Sequence, residues 1–131
     1  MTVQINALDH VNLRAPREMF ERLRVFYRDV VGLREGERPA FGNEGAWMYA
    51  GNRAVVHLSV VEAGERPRHA GVAGTYDHVA FLAKDPEAAA VELRRHGVEF
   101  RISRSEITRQ HQYFFSDPAG NGVELNFPFV D

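Results

Sequence analysis

The sequence predicts an α+β fold made of two tandem βαβββ modules, with a helix on one face of each sheet. Two observations carry this prediction. Residues 8–13 read Leu-Asp-His-Val-Asn-Leu and residues 76–81 read Tyr-Asp-His-Val-Ala-Phe, so a short motif occurs twice. Each copy is followed by a helix pattern and then by three strand patterns. We expect a single domain over residues 1–131, with module one at about residues 5–63 and module two at about residues 74–128.

The two predicted helices have clear start and stop signals. The first begins near Pro16, carries apolar residues close to i, i+3, i+4, i+7 spacing, and ends before Gly32. The second has Asp85 as its N-cap and Pro86 in its first turn, and it ends before Gly97. Both patterns are typical of a helix that packs one face against a sheet.

Three strands are predicted after each helix. They cover residues 33–38, 46–50 and 54–61 in module one, and residues 98–104, 111–116 and 122–127 in module two. Glycine, proline and asparagine in the segments between the last two strands of each module favour turns. Residues 62–74, rich in Gly, Glu, Arg and Pro, form the predicted connector.

Composition narrows the classes of function. The chain has 131 residues, a net charge of -2 and no cysteine, so it can bury a core but cannot form disulfides or thiolate metal sites. The weak acidic balance argues against nucleic acid as a partner. No apolar run approaches about 18 residues and the N-terminus lacks a signal-peptide pattern, so we expect a cytoplasmic protein that does not interact with membranes.

Four side chains able to bind a metal fall on one face of their predicted strands. Successive side chains of a strand alternate between its faces, and in each of these strands the apolar positions form the face that a helix would cover. The side chains on the opposite face are those of His10, His57, His78 and Glu124. The repeat relates His10 to His78 and His57 to Glu124, so a pseudo-two-fold axis would bring all four together. Three imidazoles and a carboxylate suit a divalent metal such as Zn²⁺, Ni²⁺, Fe²⁺, Mn²⁺ or Co²⁺.

The other three histidines are weaker candidates. His69 lies in the connector and His96 lies at a helix end, where a cation is favoured, so both are interpreted as structural or solvent-exposed. His111 begins a predicted strand, and its role stays open.

The chain resembles the vicinal oxygen chelate superfamily, which groups glyoxalase I, bleomycin-resistance proteins, fosfomycin-resistance enzymes, methylmalonyl-CoA epimerase and extradiol dioxygenases. The resemblance runs from Leu8 to Phe127. Its motifs are Leu-Asp-His-Val at 8–11, Phe-Tyr-Arg-Asp-Val-Val-Gly-Leu at 26–33, Tyr-Asp-His-Val-Ala-Phe at 76–81, and Phe-Ser-Asp-Pro-Ala-Gly-Asn-Gly-Val-Glu-Leu at 115–125. The last motif is fairly specific to the superfamily, and none is specific to one activity.

This resemblance implies a cup-shaped mixed sheet around a metal, with the helices on the outer face and ligands from the first and last strand of each module. Those positions are His10, His57, His78 and Glu124 here. Glyoxalase I usually has glutamate where this chain has His57, which leaves Glu124 as the carboxylate base. Members with three ligands imply a set of His10, His78 and Glu124, with His57 as a fourth ligand or as an acid/base group beside the metal.

The leading functional hypothesis is a metal-dependent lyase or isomerase of the glyoxalase type. A divalent metal would bind adjacent oxygens of a small oxygenated substrate, and Glu124 or His57 would act as the catalytic base. Predicted substrate contacts are Trp47, Arg109 and Gln112. The resemblance also implies a homodimer, with the site formed within one chain or shared between two.

Two other functions stay open. An extradiol-type dioxygenase would use the His-His-Glu set for Fe²⁺ and oxygen chemistry, although a fourth ligand, His57, would take up an open position. A bleomycin-type resistance protein would bind a small molecule among aromatic side chains without metal. The four candidate ligands argue against a pure binding protein.

Overall fold

The computed structural model describes residues 2–65 and 76–130 of the chain. The chain divides into two compact units, Met1–Glu65 and Arg66–Asp131. Each unit contains a four-stranded mixed sheet and an α-helix, in the order β-α-β-β-β. The predicted α+β class and the βαβββ repeat are therefore confirmed. Most of the predicted connector, including His69, lies outside the described residues.

The first unit has the strand order β1-β4-β3-β2, with β1 parallel to β4 and the other pairs antiparallel. A π-helical turn, Phe26–Val30, continues its helix, and Gly32 follows with a φ of +91° that favours glycine at a helix end. The elements are β1 (Val11–Ala15), α1 (Arg17–Val25), β2 (Arg34–Gly36), β3 (Gly45–Ala50) and β4 (Arg53–Val60).

The second unit repeats this topology with the strand order β5-β8-β7-β6 and a parallel β5–β8 pair. Asp85 caps its helix as predicted, because its Oδ1 accepts a hydrogen bond from the backbone N–H of Ala88 at 3.1 Å. The elements are β5 (His78–Leu82), α2 (Pro86–Arg95), β6 (Arg101–Ser105), β7 (Gln110–Ser116) and β8 (Gly122–Pro128).

The core of the first unit lies between α1 and its sheet. Phe20 and Leu23 of the helix are buried, as are Val56 and Leu58 of β4, and α1 contacts both β1 and β4. These apolar residues of β4 occupy alternate positions, so the helix covers one face and the intervening residues point to the other. The alternation that the sequence predicts is confirmed for this strand.

The second unit shows the same alternation in β8. Val123, Leu125 and Phe127 are buried on one face. The hydroxyl of Tyr113, also buried, donates a hydrogen bond to the carbonyl of Pro86 at 2.9 Å and so ties β7 to the start of α2. Glu124 lies between Val123 and Leu125 and belongs to the opposite face.

Several strand boundaries differ from the prediction because pairing partners, rather than composition, set them. The strands predicted from the repeated motif begin later, at Val11 and His78, where they meet β4 and β8. The edge strand β2 covers only Arg34–Gly36, beside a register shift in β3 between Met48 and Tyr49. In the described residues no helix is both long and apolar enough to cross a membrane.

Candidate metal centre

Each sheet has one face that its helix does not cover, which we call the open face. On the open face of the first sheet, two of the predicted ligands lie together. Asn12 pairs with His57 across β1 and β4, and Trp47 of β3 pairs with His57 from the other side. His10 directly precedes β1 and lies two residues before Asn12, so its side chain belongs to the same face. His10 and His57 are therefore neighbours on this face of the sheet.

The ring of His57 lies between two other rings. It stacks on His10 with a centroid separation of 3.7 Å and an interplanar angle of 13°. Trp47 also stacks on it, at 4.1 Å and 11°. Two rings this close and this parallel must occupy opposite faces of the imidazole, so His57 is held in a sandwich.

The stack decides how these histidines can bind a metal. A metal lies near the plane of the imidazole that binds it, along the nitrogen lone pair. The planes of His10 and His57 are nearly parallel and separated by the stacking distance. In this arrangement the two rings could not both bind one metal, so at most one of them could serve as a ligand.

Hydrogen bonds distinguish the two rings. His57 Nε2 donates to the backbone carbonyl of Ala54 at 3.2 Å, which leaves the Nδ1 lone pair free. His10 Nδ1 bonds to Oδ2 of Asp9 at 2.6 Å, which leaves Nε2 free. Burial, and secondly the neighbouring charge of His10, hold the pKa of His57 below its usual value. The bond to His10 is the main cause that lowers the pKa of Asp9.

The open face of the second sheet brings together the other two predicted ligands. Ala80 pairs with Glu124 across β5 and β8, and His78 lies two residues earlier on the same face. His78 Nε2 is 3.3 Å from Oε1 of Glu124, and His78 Nδ1 bonds to Oδ2 of Asp77 at 2.7 Å. Glu124 is buried, with 5% of its surface exposed.

This pair has a spacing suited to a divalent metal. His78 Nε2 and Glu124 Oε1 are 3.3 Å apart, close enough for both atoms to reach one divalent ion. One neutral nitrogen and one carboxylate oxygen are also the donor types that borderline divalent metals accept. Among the described residues, no group of three or more His, Cys, Asp or Glu side chains is arranged to hold a metal ion.

Gly122 allows β5 and β8 to lie close enough together for His78 to reach Glu124. A Cβ at this position would lie 2.3 Å from the backbone oxygen of Asp77 and 2.9 Å from Cβ of His78. Because Gly122 pairs with His78 in the register of β5 and β8, any side chain here would separate the strands that carry His78 and Glu124. The motif at residues 115–125 contains Gly122, but the position of the glycine in the motif does not reveal its contact with Asp77 and His78.

The three residues predicted to contact substrate, Trp47, Arg109 and Gln112, lie in three different places. Trp47 lines a cavity of about 510 Å³ together with Glu37, Arg38, Pro39 and Tyr49. Gln112 pairs with Asn126 two residues from Glu124, so it lies on the Glu124 face. Arg109 follows β6 with a φ of +54°, and its guanidinium lies over the ring of Phe129 at 5.2 Å.

The remaining described histidines lie away from the open faces. His96 caps α2 and lies 3.7 Å from the carboxylate of Glu92. His111 pairs with Phe127 in the register of β7 and β8, on the face opposite to Glu124, and packs against Phe129.

Sequence reasoning overlooked Asp9 and Asp77, which bond to the predicted ligands, although the repeated Asp-His pair was a signal for both. It also overlooked Arg14, which follows His10 and Asn12 on the open face. Arg14 is half-buried, contacts the Ser59 hydroxyl and forms an ion pair with Glu65. The two-residue alternation of β1 was the signal that could have found it.

Comparisons with known proteins agree with this fold. Residues 7–125 match the family model of the Glyoxalase/Bleomycin resistance protein/Dioxygenase superfamily. Comparison with curated protein sequences finds no match.

Three solved structures illustrate the likeness. A glyoxalase family protein of Bacillus anthracis is 27% identical with a TM-score of 0.75, over 98% of this chain and 100% of that one. A lactoylglutathione lyase of Agrobacterium tumefaciens is 22% identical with a TM-score of 0.66, over 94% of both chains. The antibiotic-binding protein TnmS3 of Streptomyces sp. CB03234 is 21% identical with a TM-score of 0.64, over 98% of this chain and 100% of that one. The last two share the fold with this chain, and the match over residues 7–125 shows that the chain belongs to the Glyoxalase/Bleomycin resistance protein/Dioxygenase superfamily.

Proposed function

We propose that the protein is a metal-dependent lyase or isomerase of the glyoxalase type that acts on a small oxygenated substrate. His10, His78 and Glu124 would hold a divalent metal such as Zn²⁺, Ni²⁺, Mn²⁺, Fe²⁺ or Co²⁺. His57 is the catalytic base. The two units act as one domain, and the ligands come from one chain or from the two chains of a homodimer.

One observation carries the proposal, namely the contact between His78 Nε2 and the buried carboxylate of Glu124 at 3.3 Å. Burying a carboxylate is costly unless it is paired or binds a cation. The half-exposed imidazole of His78 lies 3.3 Å away, farther than in an ordinary charge-assisted hydrogen bond. A divalent cation held by His78 and Glu124 would neutralise the carboxylate.

The structure of the first unit supports separate roles for its two histidines. His10 has a free Nε2, which is suited to the metal. His57 has a free Nδ1 and a lowered pKa, so it is a neutral imidazole able to accept a proton at neutral pH. We therefore favour the three-ligand set and assign His57 to acid/base work.

When bound, the metal would supply Lewis-acid stabilisation of charge that develops on substrate oxygens. His57 takes the substrate proton at Nδ1 while its Nε2–H stays bonded to the Ala54 carbonyl. Stacking on Trp47 fixes the plane of the ring and so the direction of that lone pair. Trp47 and Gln112 are proposed to contact the substrate from the two open faces, and Arg109 is proposed to bind an anionic group of it.

Two alternatives have support of their own. Because His57 is stacked and bonded through Nε2, it leaves an open metal position, which an extradiol-type dioxygenase with Fe²⁺ needs. The cavity beside Trp47 and Tyr49 has the aromatic lining that suits a metal-free, bleomycin-type binding protein.

Proton exchange tests the leading proposal. Metal-loaded protein is incubated in D₂O with a panel of small 1,2-dicarbonyl and 2-hydroxycarbonyl compounds, and exchange at the carbon next to the carbonyl is followed by NMR. The proposal expects exchange that H57Q abolishes while metal content is kept. Oxygen consumption with catechols by Fe²⁺-loaded protein would favour the dioxygenase. Ligand binding that a chelator does not change, without exchange, would favour the binding protein.

A further inference from the structure

We propose that Asp9 and Asp77 are positioning residues that orient His10 and His78 for metal binding. This inference rests on the proposed function, because it concerns the same metal ligands. It adds two carboxylates that do not themselves touch the metal, and it gives the repeated Asp-His pair a physical role.

The geometry is the same in both units. Asp9 Oδ2 lies 2.6 Å from Nδ1 of His10, and Asp77 Oδ2 lies 2.7 Å from Nδ1 of His78. A carboxylate only accepts hydrogen bonds, so Nδ1 carries the hydrogen in each ring. The lone pair of a neutral ring then lies on Nε2, the atom that faces Glu124 in the second unit.

Core packing does not explain either aspartate. The side chain of Asp9 is 85% exposed and that of Asp77 is 92% exposed. Two of the three nearest flanking positions differ between the units, since Leu8 corresponds to Tyr76 and Asn12 corresponds to Ala80, whereas Val11 matches Val79. The Asp-His pair and its hydrogen bond are nevertheless present in both units.

Both histidines lie where a strand begins. His10 precedes the first residue of β1 and His78 is the first residue of β5, so neither ring is fixed from both sides by its own strand. A carboxylate that accepts from the second ring nitrogen of a metal-binding histidine fixes both its tautomer and its orientation, and loss of such a partner typically lowers metal affinity by about 10- to 100-fold.

The test compares D9A, D9N, D77A and D77N. Zn²⁺ affinity is measured by competition with a chelating dye, and histidine tautomers of the metal-free protein are read by ¹⁵N NMR. Controls are D29N and E106Q, which remove the same charge from exposed ion pairs with Arg28 and Arg104. Circular dichroism checks that each variant is folded.

We expect the alanine variants to lose about 10-fold or more in affinity and to lose the Nδ1–H tautomer of the adjacent ring. The asparagine variants should keep most of both, because the amide oxygen still accepts from Nδ1. The inference is overturned if the alanine variants match D29N and E106Q, or if asparagine is as harmful as alanine. If the unmodified protein binds no metal, the proposed function fails, and the tautomers alone decide the orientation of the rings.

Discussion

The imidazole rings of His10 and His57 are stacked, with their centroids 3.7 Å apart and their planes 13° from parallel. Equivalent positions of the repeat therefore carry different pairs. The first unit holds two rings face to face, whereas the second holds His78 with its Nε2 directed at a carboxylate of Glu124. Because of this asymmetry we propose different roles for His10 and His57, with His57 as the base and not as a fourth ligand.

The first prediction concerns pH and His57. Its pKa is lowered in the folded protein, chiefly by burial, whereas the unfolded chain keeps the ordinary value of about 6.5. The unfolded state then binds the proton more readily, so the free energy of unfolding should decrease as the pH falls through about 6.5 and level off below the folded pKa.

Urea denaturation of metal-free protein between pH 8 and pH 5 measures this effect. In H57N the slope with pH should be smaller, whereas H96N, which changes a histidine at the end of α2, should keep the slope of the unmodified protein. An H57N slope equal to that of the unmodified protein would contradict the prediction.

The second prediction concerns Gly122. In G122A the new methyl group would lie 2.3 Å from the Asp77 carbonyl oxygen, so β5 and β8 must separate. We expect a loss of about 1–3 kcal/mol in stability, together with weaker metal binding, because His78 moves away from Glu124.

G120A is the matched control. Gly120 has a φ of +90° and nothing within 4 Å of its Cβ position, so G120A introduces backbone strain of about 1 kcal/mol without separating these strands. Thermal unfolding and Zn²⁺ titration of both variants measure the difference. Equal metal affinity in G122A and G120A would show that the close approach does not matter.

The third prediction concerns the buried carboxylate of Glu124. If Glu124 is buried in order to bind a metal, its carboxylate should lower the free energy of unfolding of the metal-free protein, because its desolvation is poorly compensated. Metal-free E124Q should therefore unfold at the same or a higher urea concentration than the unmodified protein at pH 8. A marked loss of stability in metal-free E124Q would instead indicate a structural role for the carboxylate.

The fourth prediction concerns Trp47. W47L removes the ring that stacks on His57 at 4.1 Å, whereas W47F keeps an aromatic face. We expect W47L to lower kcat of the exchange reaction by about 10-fold or more, because the base is no longer oriented. W47F should fall less, and both should bind metal normally. Loss of metal binding in W47L would contradict separate roles for His57 and the ligands.

The sequence predicted the fold well because the signals were local. Hydrophobic alternation located β4 and β8, and the cap at Asp85 and the glycine after each helix located the helix ends. The starts of β1 and β5 could not be predicted in the same way, because they depend on where the parallel partner begins.

For the site, the period of two assigned His10, His57, His78 and Glu124 to the faces that the helices leave uncovered. In the structure His10 stacks on His57, and His78 lies beside Glu124. The sequence pattern could not predict which imidazole nitrogens are already used in hydrogen bonds. The Ala54 carbonyl that occupies Nε2 of His57, and the Trp47 ring that stacks on it, depend on side-chain torsions and on strand register.

Metal stoichiometry separates a site held by His10, His78 and Glu124 from the alternatives. Purified, demetallated protein is loaded with Zn²⁺ or Ni²⁺ and analysed for metal content beside the variants H57A, H10A, H78A and E124Q. We expect about one ion per site in the unmodified protein and in H57A, and loss of the ion in the other three variants. Loss of the ion in H57A would show that His57 is a ligand, and a lack of metal in the unmodified protein would rule out the proposed metal site.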